Sequence, residues 1–389
     1  MGNQPVKRYI DEVARDLFAP LLLSPPGPGW KLVGWDAEQG LCLTFQRDAT
    51  VILVEFEDRD EQRDCYARTG RFNVCARRQF ETGAPLTKED RQLVDSVVAV
   101  VREREDRLPD VDRPSTGRRR AVREIRVDRV LIPEGRNHYY INPYVGCMIG
   151  CPFCYVIERA DLSRRLEGLP QLPWGRYLDV KVNAAEVLRR EVGSHPPGIV
   201  RFSPILTDPY QAIERKYRIT RQCLEVLLEA GFSVMVLTRA ARIVEDLDLL
   251  RSFPRAVVGF SVPTDDDAFR RIFEPGADPV EERIRALQTF HAAGVPTVAV
   301  VQPILPMDPQ RLVSLLAPIV RAVRIDRMYS MHLVRQLYEE HDLQHAATDA
   351  FFEKHEQELR EGFTAAGVVV DEMDELHSLM ELLFSSPGR

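Results

Sequence analysis

Apolar and polar positions change their spacing near residue 137. Before that point, helical spacing predicts an amphipathic helix over Tyr9–Leu22, which the breaker PPGPGW ends. The alternating runs WKLVGW, LCLTFQ and VILVEFE, separated by AEQG and RDAT, predict a three-stranded antiparallel meander. A second helix is predicted from Thr87 to Glu105, with Thr87 as its cap and Asp90 three residues on, close to a capping box. The stretch between them, DCYARTGRFNVCARRQFETG, is polar and reads as irregular.

After residue 137, short apolar runs alternate with helical ones. NHYYINPYV, GIVRFSPIL, FSVMVLT, AVVGFSV, PTVAVVQPI and DRMYSMHL are the strand candidates. NAAEVLRREV reads as a helix with Asn183 and Glu186 as a capping-box variant, and TRQCLEVLLEAG and PVEERIRALQTFHAAG as helices ending at Gly231 and Gly294. Such alternation implies βα units and a parallel sheet. Six units fit either a doubly wound sheet or a partial barrel, and neither GxGxxG nor GxxxxGKS follows the first strand. The expectation is an α/β protein, a partial (β/α)6 TIM-type barrel with an N-terminal α+β module, its chemistry at the C-terminal ends of the strands. The predicted order is an accessory or substrate-recognition module over 1–105, an Arg/Pro-rich linker over 106–136, the barrel over 137–335 and a helical extension over 336–389.

Composition narrows the class. The 389 residues are 44% hydrophobic and 29% charged, which suits a globular chain rather than a disordered or coiled-coil one. No apolar run approaches the roughly 20 residues that span a bilayer, and the N-terminus lacks a signal-peptide pattern, so the expectation is a cytoplasmic protein with no membrane partner. A net charge of -7 argues against a surface built wholly for nucleic acid but leaves room for a local basic groove. Of the 52 basic residues 46 are Arg, and seven fall between Arg113 and Arg129 against two acids, either as a solvated connector or as a strap over an anionic substrate.

Seven cysteines, an odd number, do not suggest a disulfide framework. Cys223 falls on the apolar face of a predicted helix and reads as core, while Cys42, Cys65 and Cys75 leave an auxiliary cluster open, with long spacing and no evident fourth ligand. Cys147, Cys151 and Cys154 are different: INPYVGCMIGCPFCYV sets them in a C-x3-C-x2-C pattern flanked by Gly146 and Gly150. Three thiolates on one short loop can face an iron–sulfur cube and leave its fourth iron open. The alternative is zinc, which wants a fourth ligand; no second CxxC pair exists, and His138 lies at the wrong end of the first strand.

This triad, with an aromatic before its last cysteine and Tyr155 after it, resembles the radical S-adenosylmethionine (SAM) superfamily. NPYxGCxxGCxxCY followed by TDPYQAIE, LTR, FSVPTDD with FEPG, and PILP is similar to the spore photoproduct lyase-like family, over about residues 115–335. The resemblance implies a [4Fe-4S] cluster on Cys147, Cys151 and Cys154, with S-adenosyl-L-methionine on the fourth iron. It also implies reductive cleavage of SAM to methionine and a 5′-deoxyadenosyl radical that abstracts hydrogen from a substrate.

The same resemblance implies site roles. Thr207 and Asp208 would lie by the methionine ammonium, Arg239 by its carboxylate in place of the family's usual Lys, and Ser261 by the ribose or carboxylate. Tyr155 would line the adenosyl side, with Gln302 and Pro303 by the adenine. Tyr155, Tyr210 and Glu214 are the catalytic candidates, Gln211 faces the same region, and Glu274 and Arg283 read as a structural bridge. Glu214 could instead form a surface ion pair with Arg215 or Lys216. Lesion-repairing members carry a hydrogen-donating cysteine where this chain has Ile205. The substrate expected first is therefore a small molecule or natural-product intermediate, with an electron donor of flavodoxin or ferredoxin type. Nucleic-acid repair, modification of a peptide bound by the N-terminal module, and a non-enzymatic cluster protein remain as alternatives.

Overall fold

The computed structural model describes residues 10–24, 26–38, 40–59, 61, 64–81, 83–108, 121–202, 206–371 and 376–385. It divides into two units, one of Met1–Arg120, Ile132–Tyr139 and Val156–Pro173, the other of Ala121–Leu131, Tyr140–Tyr155 and Trp174–Arg389. Among the described residues no helix is long and apolar enough to cross a membrane.

The first unit is an antiparallel sheet with helices. Its strands run Lys31–Asp36, Leu41–Arg47, Thr50–Asp58, Phe72–Gln79 and Ala67–Arg68 in spatial order. The first three are the meander that alternation predicts. Phe72–Gln79 corrects the reading of that stretch as irregular: only Phe72 and Val74 supply buried apolar side chains, so alternation is too short to show, yet its backbone pairs along the length of Thr50–Asp58. Helix Lys88–Arg102 starts as expected, with Thr87 accepting the amide of Asp90 and the Asp90 carboxylate accepting that of Thr87 at 2.9 Å. Phe18, Phe56 and Phe72 stack through the core at 5.8 and 5.9 Å between rings. Leu162 and Leu166, from helix Val156–Leu166, join the same core. Cys42 and Cys75 flank Glu55 in register on neighbouring strands, and His138 packs its ring edge against Phe80.

The second unit carries the parallel sheet. Its strands Ile199–Phe202, Ser233–Thr238, Ala256–Ser261, Thr297–Val301, Ala322–Ile325 and Val369–Val370 lie side by side in chain order, each pair parallel. The sheet is open, as a partial barrel requires. Apolar β-branched runs form its middle strands because both faces are covered. On one face Ile199, Met235, Val257, Val298 and Ala322 pack with Leu379, Met380 and Leu383 of the C-terminal helix Leu376–Ser385. Helices Val280–Ala292 and Asp349–Ala365 pack on strands Ala256–Ser261 and Ala322–Ile325.

Three local readings need correction. DRMYSMHL is not a strand: the strand is Ala322–Ile325, and Met331 opens helix Met331–Glu340, whose buried Val334 and Tyr338 keep a four-residue spacing. NHYYINPYV is not continuous, because the chain breaks at Asn142–Pro143 and Tyr144–Val145 joins a separate small sheet with Tyr177–Lys181 and Ala121–Ile125. Asn183 makes no side-chain cap on helix Ala184–Glu191; its amide instead holds both backbone groups of Val127, at 2.9 and 2.8 Å. Helices ending at Gly231 and Gly294 do so with positive φ at both glycines, as expected. Residues 113–120 of the basic strap lie outside the described residues; beyond them Arg123 pairs with Asp179 at 2.6 Å and Arg126 with Glu186 at 3.2 Å.

Candidate iron–sulfur site

The cysteine loop is a turn built on close backbone approach. Gly146 and Gly150 both have positive φ, and a Cβ on Gly146 would lie 2.7 Å from the Tyr177 carbonyl oxygen. Gly150 faces Gly175, whose own Cβ would lie 2.9 Å from the Gly150 Cα. On another side, the Gly276 amide donates to the Ile149 carbonyl at 2.9 Å, and a Cβ there would reach the Met148 carbonyl oxygen at 2.6 Å. Two segments far apart in sequence thus fix the loop.

Strand-end side chains complete the hold. The Thr207 hydroxyl donates to the Gly146 carbonyl at 2.6 Å. The Gln211 amide nitrogen donates to Thr207 at 2.5 Å, and its oxygen accepts the Met148 amide at 2.8 Å. Cys147, Cys151 and Cys154 on this loop form no disulfide, Cys151 buried and the others half-buried. Burial, then the negative charge of Asp208, pushes the Cys147 thiol up to about 12, and burial also raises Cys151. Such thiols stay protonated until a metal displaces the proton.

Among the described residues no three His, Cys, Asp or Glu side chains converge as ligands of a single metal ion. The three cysteines nonetheless lie within electrostatic reach of one another. Three thiols on one loop suit a cube that binds each thiolate through a different iron. The donor set fits a [4Fe-4S] cluster.

Beyond the loop a charged network spans the strand ends. Asp208 accepts the Thr238 hydroxyl at 2.6 Å and the amides of Arg239 at 2.7 Å and Tyr210 at 2.9 Å, while burial raises its carboxyl. Arg239 meets Glu274 at 2.5 Å, and Glu274 meets Arg283 at 2.8 Å with both of the latter side chains fully buried. Arg283 in turn donates to the Ser261 carbonyl at 2.7 Å. Glu274 and Arg283 are thus a bridge, and the charge of Arg239 also bears on Cys151.

The remaining expected residues are scattered along the same edge. Tyr210 is 1% exposed and donates to Asp246 at 2.8 Å, which also binds Arg221. Glu214 is 3% exposed; it accepts the Tyr144 hydroxyl and, at 3.2 Å each, the Thr220 and Arg221 amides that open helix Ile219–Glu229. That burial raises its carboxyl to about 7, and burial and Glu214 together raise Tyr144. Ser261 is buried at its strand end, Gln302 precedes Pro303 across a cis peptide, and Tyr155 is half exposed. Cys223 is buried, as the helix pattern implies. Ile205 lies outside the described residues. Sequence reading did not single out Tyr144, Gly175 or Gly276, and it took Gln211 as substrate-facing; FEPG was the one available signal for Gly276.

The radical SAM superfamily model matches residues 141–317. An uncharacterised protein of Acidianus two-tailed virus is 30% identical over 174 residues, covering 44% of this chain and 57% of that protein. One from Methanocaldococcus jannaschii is 27% identical over 168 residues, 43% and 61% of the two chains. The chain thus spans less than two thirds of the length of these curated relatives. Among solved structures, a spore photoproduct lyase mutant is 17% identical, with 64% of this chain and 81% of that one covered and a TM-score of 0.47. The superfamily implies a [4Fe-4S] cluster and SAM, which the cysteine loop fits. Residues 141–317 are thus a radical SAM domain.

Proposed function

We propose that this protein is a radical SAM enzyme whose cluster is held by Cys147, Cys151 and Cys154 and whose substrate is a small molecule. When bound, the cluster and SAM supply a one-electron reductive cleavage to methionine and a 5′-deoxyadenosyl radical, which takes hydrogen from the substrate. The observation that carries the reading is the cysteine loop: three cysteines outside any disulfide, on a glycine turn that Thr207, Gln211 and Gly276 pin to the sheet.

The chain's own residues then divide the work. Thr207 and Gln211 set the loop's position. Arg239, aimed by the hydrogen bond its backbone amide donates to Asp208 and by its ion pair with Glu274, supplies positive charge for the methionine carboxylate. Asp208 balances that charge on the ammonium side, while Ser261 and Gln302 at their strand ends serve the nucleoside and Tyr155 flanks it. Tyr210 and Glu214 act as positioning residues, because Tyr210 ties its strand end to Asp246 and Glu214 ties Tyr144, three residues before Cys147, to a helix start. An electron donor of flavodoxin or ferredoxin type would reduce the site.

The test is anaerobic release of 5′-deoxyadenosine from SAM with dithionite. Wild type is expected to release it and Cys151→Ala to release none. Equal release by both, or none by a wild type carrying its iron, would refute the proposal.

A further inference from the structure

One short segment of the second unit, residues 274–278, touches both the cysteine loop and the strand end that carries Arg239. It directly follows helix Asp267–Phe273. Its middle holds the loop, since the Gly276 amide donates to the Ile149 carbonyl at 2.9 Å. Its two ends hold Arg239: the Glu274 carboxylate meets the guanidinium at 2.5 Å, and the Asp278 amide donates to the Arg239 carbonyl at 3.2 Å. Arg283 closes the segment on itself. Its buried guanidinium donates to the Glu274 carboxylate at 2.8 Å and to the Asp278 carbonyl at 2.9 Å, and it reaches the Ser261 carbonyl at 2.7 Å.

The side chain of Asp278 has no part in the roles assigned above. Its Oδ2 accepts the Ala241 amide at 2.7 Å across 37 positions of sequence. This bond completes a series beyond strand Ser233–Thr238, in which three successive amides each donate to a side-chain oxygen. Arg239 donates to Asp208 at 2.7 Å, Ala240 to Thr238 at 3.0 Å and Ala241 to Asp278. Asp278 therefore brackets Arg239, donating to its carbonyl and accepting the amide two residues on. A carboxylate acceptor makes the stronger kind of hydrogen bond. Arginine needs such a bracket: its side chain is long and flexible, so the guanidinium has a fixed place only when root and tip are both held. Glu274 holds the tip, Asp278 the root, and both belong to the segment that pins the cysteine loop.

We infer that Asp278 is a positioning residue for SAM: by bracketing Arg239 it sets where the guanidinium stands relative to the cysteine loop, and so aligns the methionine carboxylate with the open iron. The inference rests on the radical SAM reading and adds the residue that aligns its cosubstrate. A ligand held at two fixed points binds well only when their separation matches it, and a shift of about 1 Å at one of them is enough to matter. What the geometry asks of residue 278 is an acceptor oxygen at this reach, which an asparagine also supplies.

The test measures SAM binding to the anaerobic, cluster-loaded full chain by equilibrium dialysis. Beside it are read the paramagnetic resonance signal of the reduced cluster and the kinetics of 5′-deoxyadenosine release. Asp278→Ala is expected to raise both Kd and KM for SAM about tenfold or more, with kcat within about threefold of wild type. Its signal without SAM should match that of wild type. Asp278→Asn, which keeps an acceptor oxygen, should stay within about threefold of wild type in Kd. Iron per chain and circular dichroism show whether each variant is folded and loaded. An arm on wild type stands without the variants: SAM is expected to slow hydrogen exchange in peptides covering 239–241 and 274–278, but not in helix Ala184–Glu191. A loaded Asp278→Ala that binds SAM as wild type does would overturn the inference. So would an Asp278→Asn as weak as Asp278→Ala, an altered signal without SAM, or no added protection at 239–241 and 274–278. A wild type that carries its iron yet forms no deoxyadenosine would instead refute the radical SAM reading.

Discussion

At the scale of single residues, the site depends on atoms that are absent as much as on those present. Gly276 has no Cβ, and one placed there would lie 2.6 Å from the Met148 carbonyl oxygen and 2.7 Å from the Ile149 Cα. Backbone cannot yield as a flexible side chain can, so Gly276→Ala is expected to displace the cysteine loop at a cost of about 1–3 kcal/mol. Reconstituted iron per chain should fall well below wild type while circular dichroism is kept; full iron loading would contradict the account. Glu214 makes a different prediction. Its carboxyl rises from an ordinary value near 4.5 to about 7, so between those values the folded chain holds more protons than the unfolded one. Stability from this group is therefore lost as pH rises through that window, and the loss levels off above it. Glu214→Gln is expected to flatten that part of the curve, measured as urea midpoints at about pH 5 and about pH 7.5; an unchanged slope would assign the pH dependence elsewhere. The three cysteines and the Glu274–Arg283 bridge were legible because spacing and charge announce them. Gly175, Gly276 and the clamp by Gln211 were not, because each role exists only where segments distant in sequence touch.

Elements were legible where apolar runs were long and illegible where they were short. Ser233–Thr238, Ala256–Ser261 and Thr297–Val301 are buried on both faces and stand out as unbroken apolar runs. Ala121–Ile125 is mostly exposed, with charged residues inside it, and no apolar pattern marks it. The capping box at Thr87 was legible because it is local, and Thr87→Ala is expected to cost about 0.5–2 kcal/mol by denaturant unfolding. No change in stability would mean that the cap is dispensable. Leu376–Ser385 carries more weight than its position in the chain suggests. Met380 is fully buried against the parallel sheet, while Arg255 pairs with Glu381 and Arg321 donates to the Leu383 carbonyl at 2.6 Å. Met380→Ala is expected to cost about 2–5 kcal/mol, read from the shift in urea midpoint, and a loss under about 1 kcal/mol would show that the helix does not cap this face.

For the whole molecule, the alternation of βα units and one cysteine spacing carried most of the reading, and both survive as the parallel sheet and the loop beside it. Overall charge carried little, since a net charge of -7 does not say where along the chain or the fold the charges lie. The central claim is that Cys147, Cys151 and Cys154 hold a cluster with one iron open to SAM. Electron paramagnetic resonance of the dithionite-reduced, reconstituted protein, with and without SAM, tests it most directly. The account predicts about four irons and four sulfides per chain, a reduced-cluster signal whose shape changes when SAM is added, and loss of both cluster and response in Cys151→Ala. A reconstituted protein that takes up zinc in place of iron, or a cluster signal that SAM leaves unchanged, would contradict it.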